Sequence, residues 1–108
     1  MPQEILAGDL AGRLKRSEPT LLLDVREPWE REIARIPGDL HIPMNELPRR
    51  LSEIVPPPGG VIVAYCHLGV RSWAVAAYLE EAGHPKVLSL AGGIDAWSAE
   101  VDPALPRY

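Results

Sequence analysis

An α/β fold, with a mainly parallel sheet covered by helices on both faces, is predicted by three features of the chain. Two apolar runs, residues 20–25 (TLLLDV) and 61–65 (VIVAY), lack polar alternation apart from Asp24 near the end of the first; strands buried on both sides read this way. Segments of helical character separate those runs, so strands and helices alternate. The 108 residues, 46% apolar and 24% charged, suit one small domain spanning residues 1–108 that buries roughly two thirds of its unfolded surface.

Asp9 is placed to cap a helix to about Arg16, with Leu10 and Leu14 on one face, and Glu18-Pro19 ends it. Residues 20–25 then form a strand with Asp24 at its carboxyl end. Pro28 suits the first turn of a short helix to about Ile33, and Ile36-Pro37-Gly38 turns the chain into a short strand over 40–42. Asn45 caps a helix to about Ile54, with Pro48 tolerated in its first turns. The run Pro56-Pro57-Pro58-Gly59-Gly60 is a loop leading into the strand over 61–65. Ser72 caps a helix whose apolar face is Val75, Ala76 and Leu79 and whose end is marked by Gly83 and Pro85. Residues 87–90 make a last strand, Ala91-Gly92-Gly93 turns into a short helix carrying Trp97, and residues 102–106 are an extended tail.

Composition excludes several functional classes. Eleven basic against fifteen acidic residues give a net charge of −4, which argues against nucleic acid as the main partner. Both apolar runs are far shorter than the ~20 residues that cross a bilayer. The opening residues have neither the basic start nor the apolar stretch of a secretory signal, so a cytoplasmic location is expected. One cysteine, Cys66, forms no internal disulfide and supplies no cysteine-based zinc site, which fits a reducing compartment. His41, His67 and His84 are too scattered to read as a metal site. Glu27, Glu30, Arg31, Glu32 and Arg35 are spaced as a solvated helix face.

Ligands of open parallel sheets bind beyond the carboxyl ends of the strands. That rule singles out Asp24-Val25-Arg26-Glu27 after one central strand and Cys66-His67-Leu68-Gly69-Val70-Arg71-Ser72 after the other, and the two should be spatial neighbours. A cysteine at a strand end, followed by a tight loop and a helix, has amides around its sulfur and the positive end of the helix dipole behind it. This favours thiolate, hence a nucleophile. Gly69 lets the loop take a positive φ. Arg71 has two open roles: offering charge to an anionic donor, or pairing with Asp24 or Glu27 to brace the loop. Asp24 suits orienting backbone or arginine groups better than acting as a base. His67 is expected to contribute its backbone amide, and Trp29 and Trp73 are either partly buried core or a rim for a protein partner.

The loop from Cys66 to Ser72 resembles the C-x-x-G-x-R-S active-site loop of rhodanese-family sulfurtransferases. The resemblance extends along the chain: Leu23-Asp24-Val25-Arg26-Glu27-Pro28 is similar to the family's aspartate-x-arginine segment, Ile36-Pro37-Gly38-Asp39-Leu40-His41-Ile42-Pro43 to its I-P-G-A-x-x-I-P segment, and Leu90-Ala91-Gly92-Gly93-Ile94-Asp95-Ala96-Trp97 to its L-x-G-G-x-x-A-W segment. It implies a rhodanese-like three-layer α/β/α domain with a five-stranded, mainly parallel sheet. It further implies a sulfurtransferase in which Cys66 takes a sulfane sulfur from a donor, held by the loop amides of His67, Leu68, Gly69, Val70, Arg71 and Ser72, and passes it to a second nucleophile. Asp24 and Arg26 support the site. The implied donor is thiosulfate or a protein or small-molecule persulfide, the acceptor cyanide or a thiol; no metal or organic cofactor is implied, and a monomer is expected. Four positions depart from the family pattern: Arg35 stands where histidine is common before I-P-G, Asp39 replaces alanine, and His67 and Leu68 replace the cationic residues of members that use thiosulfate well. The competing enzyme reading is a phosphatase or arsenate reductase on a related fold, whose loop reads C-x5-R, whereas four residues separate Cys66 from Arg71. The non-enzymatic alternative is an interaction or sulfur-carrier module, and an intact cysteine loop counts against it.

Overall fold

The computed structural model describes residues 2–108. Strands β1 (Gln3–Ile5), β2 (Thr20–Asp24), β3 (Leu40–His41), β4 (Val61–Tyr65) and β5 (Val87–Leu90) form one sheet in the order β1-β5-β4-β2-β3. All neighbouring strands are parallel. Helices α1 (Ala7–Lys15), α2 (Pro28–Ile33), α3 (Leu47–Arg50), α4 (Val70–Glu81) and α5 (Gly93–Glu100) connect and follow them. Alternate residues of each strand point to opposite faces. Leu23, Ile62, Ala64 and Cys66 therefore pack with Leu47, Val75, Ala76 and Leu79 of α3 and α4. Leu22, Val61, Val63 and Tyr65 pack with Leu10, Ile94 and Trp97 of α1 and α5. This is the three-layer α/β/α arrangement that the unalternated apolar runs predict.

Asp24 lies in register with Tyr65, and the Val25 amide donates to the Tyr65 carbonyl at 3.2 Å. The loops that follow β2 and β4 thus leave the sheet side by side. Among the described residues, no helix is long and apolar enough to cross a membrane.

Several elements differ from the sequence expectation for physical reasons. β1 is unforeseen because its Gln3-Glu4 pair is exposed at a sheet edge and gives no apolar signal. Asp9 does not cap α1: the helix starts at Ala7, whose side chain is buried with Leu10, and Asp9 lies in the first turn. The helix expected from Asn45 to Ile54 is divided into a 3-10 turn at Met44–Glu46, α3, and a second 3-10 turn at Leu51–Glu53, with no cap bond from Asn45. Pro48 lacks an amide hydrogen and prevents continuous α-helical bonding there. Ser72 does not cap α4, because the left-handed Gly69 occupies that position and Ser72 lies inside the helix.

Candidate active site

Cys66 follows β4 directly and is 1% exposed. Gly69, at φ 102°, reverses the chain into α4; a side chain there would resist the left-handed conformation and crowd the backbone of Gly92. The turn aims the Gly69 and Ser72 amides at the Cys66 Sγ, at 3.1 and 3.3 Å. Ser72 Oγ sits 3.4 Å from Sγ and 2.8 Å from Ser89 Oγ on β5, so a buried hydroxyl pair backs the sulfur. Two amides and the N-terminal end of a 12-residue helix form a cradle for negative charge on the sulfur or on an atom bonded to it.

The other wall is the start of α5. The Ile94 and Asp95 amides donate to the Cys66 and His67 carbonyls at 2.8 and 3.1 Å. Such an approach is open only to glycine at position 93: φ is 61°, and a Cβ would come within 2.5 Å of the Cys66 carbonyl oxygen and overlap that of His67. Gly92-Gly93 thus brings the Ile94 and Asp95 amides onto the carbonyls of the loop.

Beneath this loop lies a network of buried charge. Asp24 Oδ1 accepts from the Arg26 amide at 3.0 Å and its Nε at 2.9 Å, while Oδ2 accepts from Arg26 Nη2 and Arg31 Nη1, each at 2.9 Å. Arg26 is fully buried and also donates to the Ala34 carbonyl at 2.7 Å and the Tyr108 hydroxyl at 2.9 Å. Burial works against its charge, but Asp24 and Tyr108 outweigh that and hold it above the ordinary arginine range. Asp39 accepts from Arg31 and from the Tyr65 hydroxyl, whose pKa burial and the neighbouring carboxylates push up. His41 Nε2 contacts the Arg26 carbonyl at 2.7 Å. Asp24, Arg26, Arg31 and Asp39 thus lock together the segments that follow β2.

Arg71 pairs with neither Asp24 nor Glu27. Its Nη1 and Nη2 donate to Glu30 Oε1 and Oε2 at 2.7 and 2.9 Å, and this pairing raises its pKa. Glu30 corrects a second expectation: it is 2% exposed instead of lying on a solvated face. Burial opposes its ionisation, yet Arg71, Tyr108 and the Glu27 backbone hold the carboxyl down at about 2. Helical spacing places Glu30 beside polar residues but carries no information about the loop that α2 faces.

Tyr108, two residues beyond the segment expected to be an extended tail, comes back to this site. Its ring stacks on His67 with centroids 3.9 Å apart and planes 8° from parallel, and meets Trp29 edge-on at 6.1 Å. Its hydroxyl donates to Glu30 Oε2 at 2.6 Å, and burial first, then Glu30, pushes its pKa up to about 12. Trp29 is exposed, as are Leu68 and Val70 of the loop, so an apolar rim adjoins the charged interior. Trp73 is half-buried.

The chain is similar to known proteins in sequence and in fold. The family model for the Rhodanese-like domain matches residues 6–100. A sulfurtransferase of Allochromatium vinosum is 43% identical over 98 residues, covering 91% of this chain and 90% of the relative. Against two longer plant relatives, the chain spans 30% and 24% of their lengths. Among solved structures, a rhodanese-like domain protein from Staphylococcus aureus superposes with a TM-score of 0.81 at 30% identity, covering 98% of both chains. A thiosulfate sulfurtransferase from Pseudomonas aeruginosa also gives 0.81, at 27% identity, covering 91% of this chain and 19% of that one. With the parallel five-stranded sheet, the cysteine loop at its carboxyl edge and a match over nearly the whole chain, the protein belongs to the Rhodanese-like domain family.

Proposed function

We propose that this chain is a sulfurtransferase that carries sulfane sulfur as a persulfide on Cys66. The observation that carries this reading is the placement of the Cys66 Sγ under the Gly69 and Ser72 amides at the head of α4. In the first half-reaction the Cys66 thiolate attacks the sulfane sulfur of thiosulfate or of a persulfide. A Cys66–S bond forms, the donor's S–S bond breaks, and sulfite or a thiolate leaves with that bond's electron pair. In the second, cyanide or a thiolate attacks the outer sulfur, and Cys66 leaves as thiolate. Neither step changes the total number of electrons, and neither calls on a proton from Asp24.

The loop from His67 to Ser72 serves as the anion cradle for the outer sulfur, in the manner of an oxyanion hole. Arg71, held by Glu30, contributes positive charge at its edge, while Asp24 and Arg26 support the site by fixing the neighbouring segment. The similarity to proteins named as sulfurtransferases supports this chemistry. Thiocyanate formation from thiosulfate and cyanide tests it: the protein should exceed the uncatalysed rate, and Cys66→Ser should not. Equal rates for the two would remove Cys66 from the reaction.

A further inference from the structure

We infer that Tyr108 is a positioning residue of the sulfur-transfer site, fixing both ends of the Cys66 loop at once; this rests on the reading of that site as a sulfurtransferase. Its two attachments are chemically different. The ring covers His67, the first residue after the cysteine, in a parallel stack at 3.9 Å. His67 Nε2 is buried without a hydrogen-bond partner, so the stack, with no polar anchor at that atom, holds this edge of the imidazole.

The hydroxyl works on the other end of the loop through Glu30. Arginine has no acceptor and an ionised carboxylate no donor. The Tyr108 hydroxyl therefore accepts from Arg26 Nη1 at 2.9 Å and gives its proton to Glu30 Oε2 at 2.6 Å. Glu30 then has two donors on each oxygen: Arg71 and the Glu27 amide on Oε1, Arg71 and Tyr108 on Oε2. Donors that share a carboxylate's charge leave less of it to bind Arg71. Without the hydroxyl, Glu30 draws Arg71 more closely and offsets more of the positive charge that an anionic sulfur donor meets on entering the loop. Without the ring, His67 is released and the amide cradle loosens as well.

Two variants separate the attachments, and two half-reactions read them. Loading of Cys66 by thiosulfate, a dianion, and discharge of the sulfur-loaded protein by the thiolate of a thiol that carries no other charge are followed separately, with folding checked by circular dichroism. Tyr108→Phe keeps the stack and loses the hydroxyl; it should raise the thiosulfate concentration for half-maximal loading by about 3- to 10-fold, the scale of an ordinary net hydrogen bond, because the loss reaches the donor only through Arg71, while discharge by a singly charged thiolate changes less than about twofold. Tyr108→Ala should slow both half-reactions, by about tenfold or more, as expected when an anion cradle loses its geometry. Phenylalanine thus rescues discharge and leaves loading impaired. Folded variants that load and discharge like the parent protein would overturn the role of Tyr108 alone. A parent protein that never loads Cys66 would overturn the sulfurtransferase reading and this inference with it.

Discussion

Replacing Glu30 with glutamine preserves the side chain's shape and removes its charge. The Glu30 carboxylate is 2% exposed and receives Arg71 Nη1 and Nη2, the Tyr108 hydroxyl and the Glu27 amide. A glutamine has one accepting oxygen, so some of these donors meet its NH₂ group and lose their acceptor. Removing one partner of a fully buried ion pair costs about 3–5 kcal/mol. The Arg71 side chain keeps 35% of its exposure, so water recovers part of that, and a loss of about 1–3 kcal/mol is expected. For a chain of this size each kcal/mol moves Tm by about 4–8 °C, which puts the fall at roughly 5–20 °C. The pH dependence has a definite sign. Glu30 titrates at about 2 in the folded protein against an ordinary 4.5. A depressed carboxyl stabilises the fold fully above its unfolded pKa and loses that contribution as pH falls through the folded one. The gap between parent and Glu30→Gln should therefore be widest above about pH 5 and close towards about pH 2. Thermal unfolding followed by far-UV circular dichroism across that range measures it. An unchanged Tm at neutral pH, or a gap that persists undiminished in acid, would refute the reasoning.

Gly93→Ala should destabilise the protein by about 1–3 kcal/mol and slow sulfur loading, because the new methyl group meets the carbonyls of both Cys66 and His67; a urea midpoint and a loading rate check it. Aryl phosphate hydrolysis should be negligible. Four residues separate Cys66 from Arg71, one fewer than in C-x5-R loops, and one missing oxyanion donor alone costs about 10²–10³ in rate. Phosphate release that depends on Cys66 and outpaces thiocyanate formation would reverse that conclusion.

What the sequence discloses about this fold follows from how local each signal is. The runs that became β2 and β4 are apolar on both faces because both faces are covered, and Pro28 marks the start of α2 because its fixed φ suits a first helical turn. The juxtaposition of the Asp24 and Cys66 loops follows from parallel strand topology alone. The Glu30–Arg71 pair joins residues 41 positions apart and Tyr108–Glu30 joins residues 78 apart. No periodicity reports such contacts. Glu30 on α2 has the spacing of a solvent-facing charge, and its contacts with Arg71 of α4 and with Tyr108 make it a buried anchor. Ser89 lies in a strand whose other residues are apolar; a lone serine in such a run is a weak hint of a polar neighbour, here Ser72. The short β1 is invisible because its stability comes from pairing with β5, not from its own residues.

The most direct test of the account is the intact mass of the protein after incubation with thiosulfate or glutathione persulfide and removal of free donor. The expected result is a gain of one sulfur atom per chain, reversed by cyanide with release of one thiocyanate, and no gain in Cys66→Ser. A gain of sulfur by Cys66→Ser, or a parent protein that stays at its unmodified mass with both donors while folded, would contradict it.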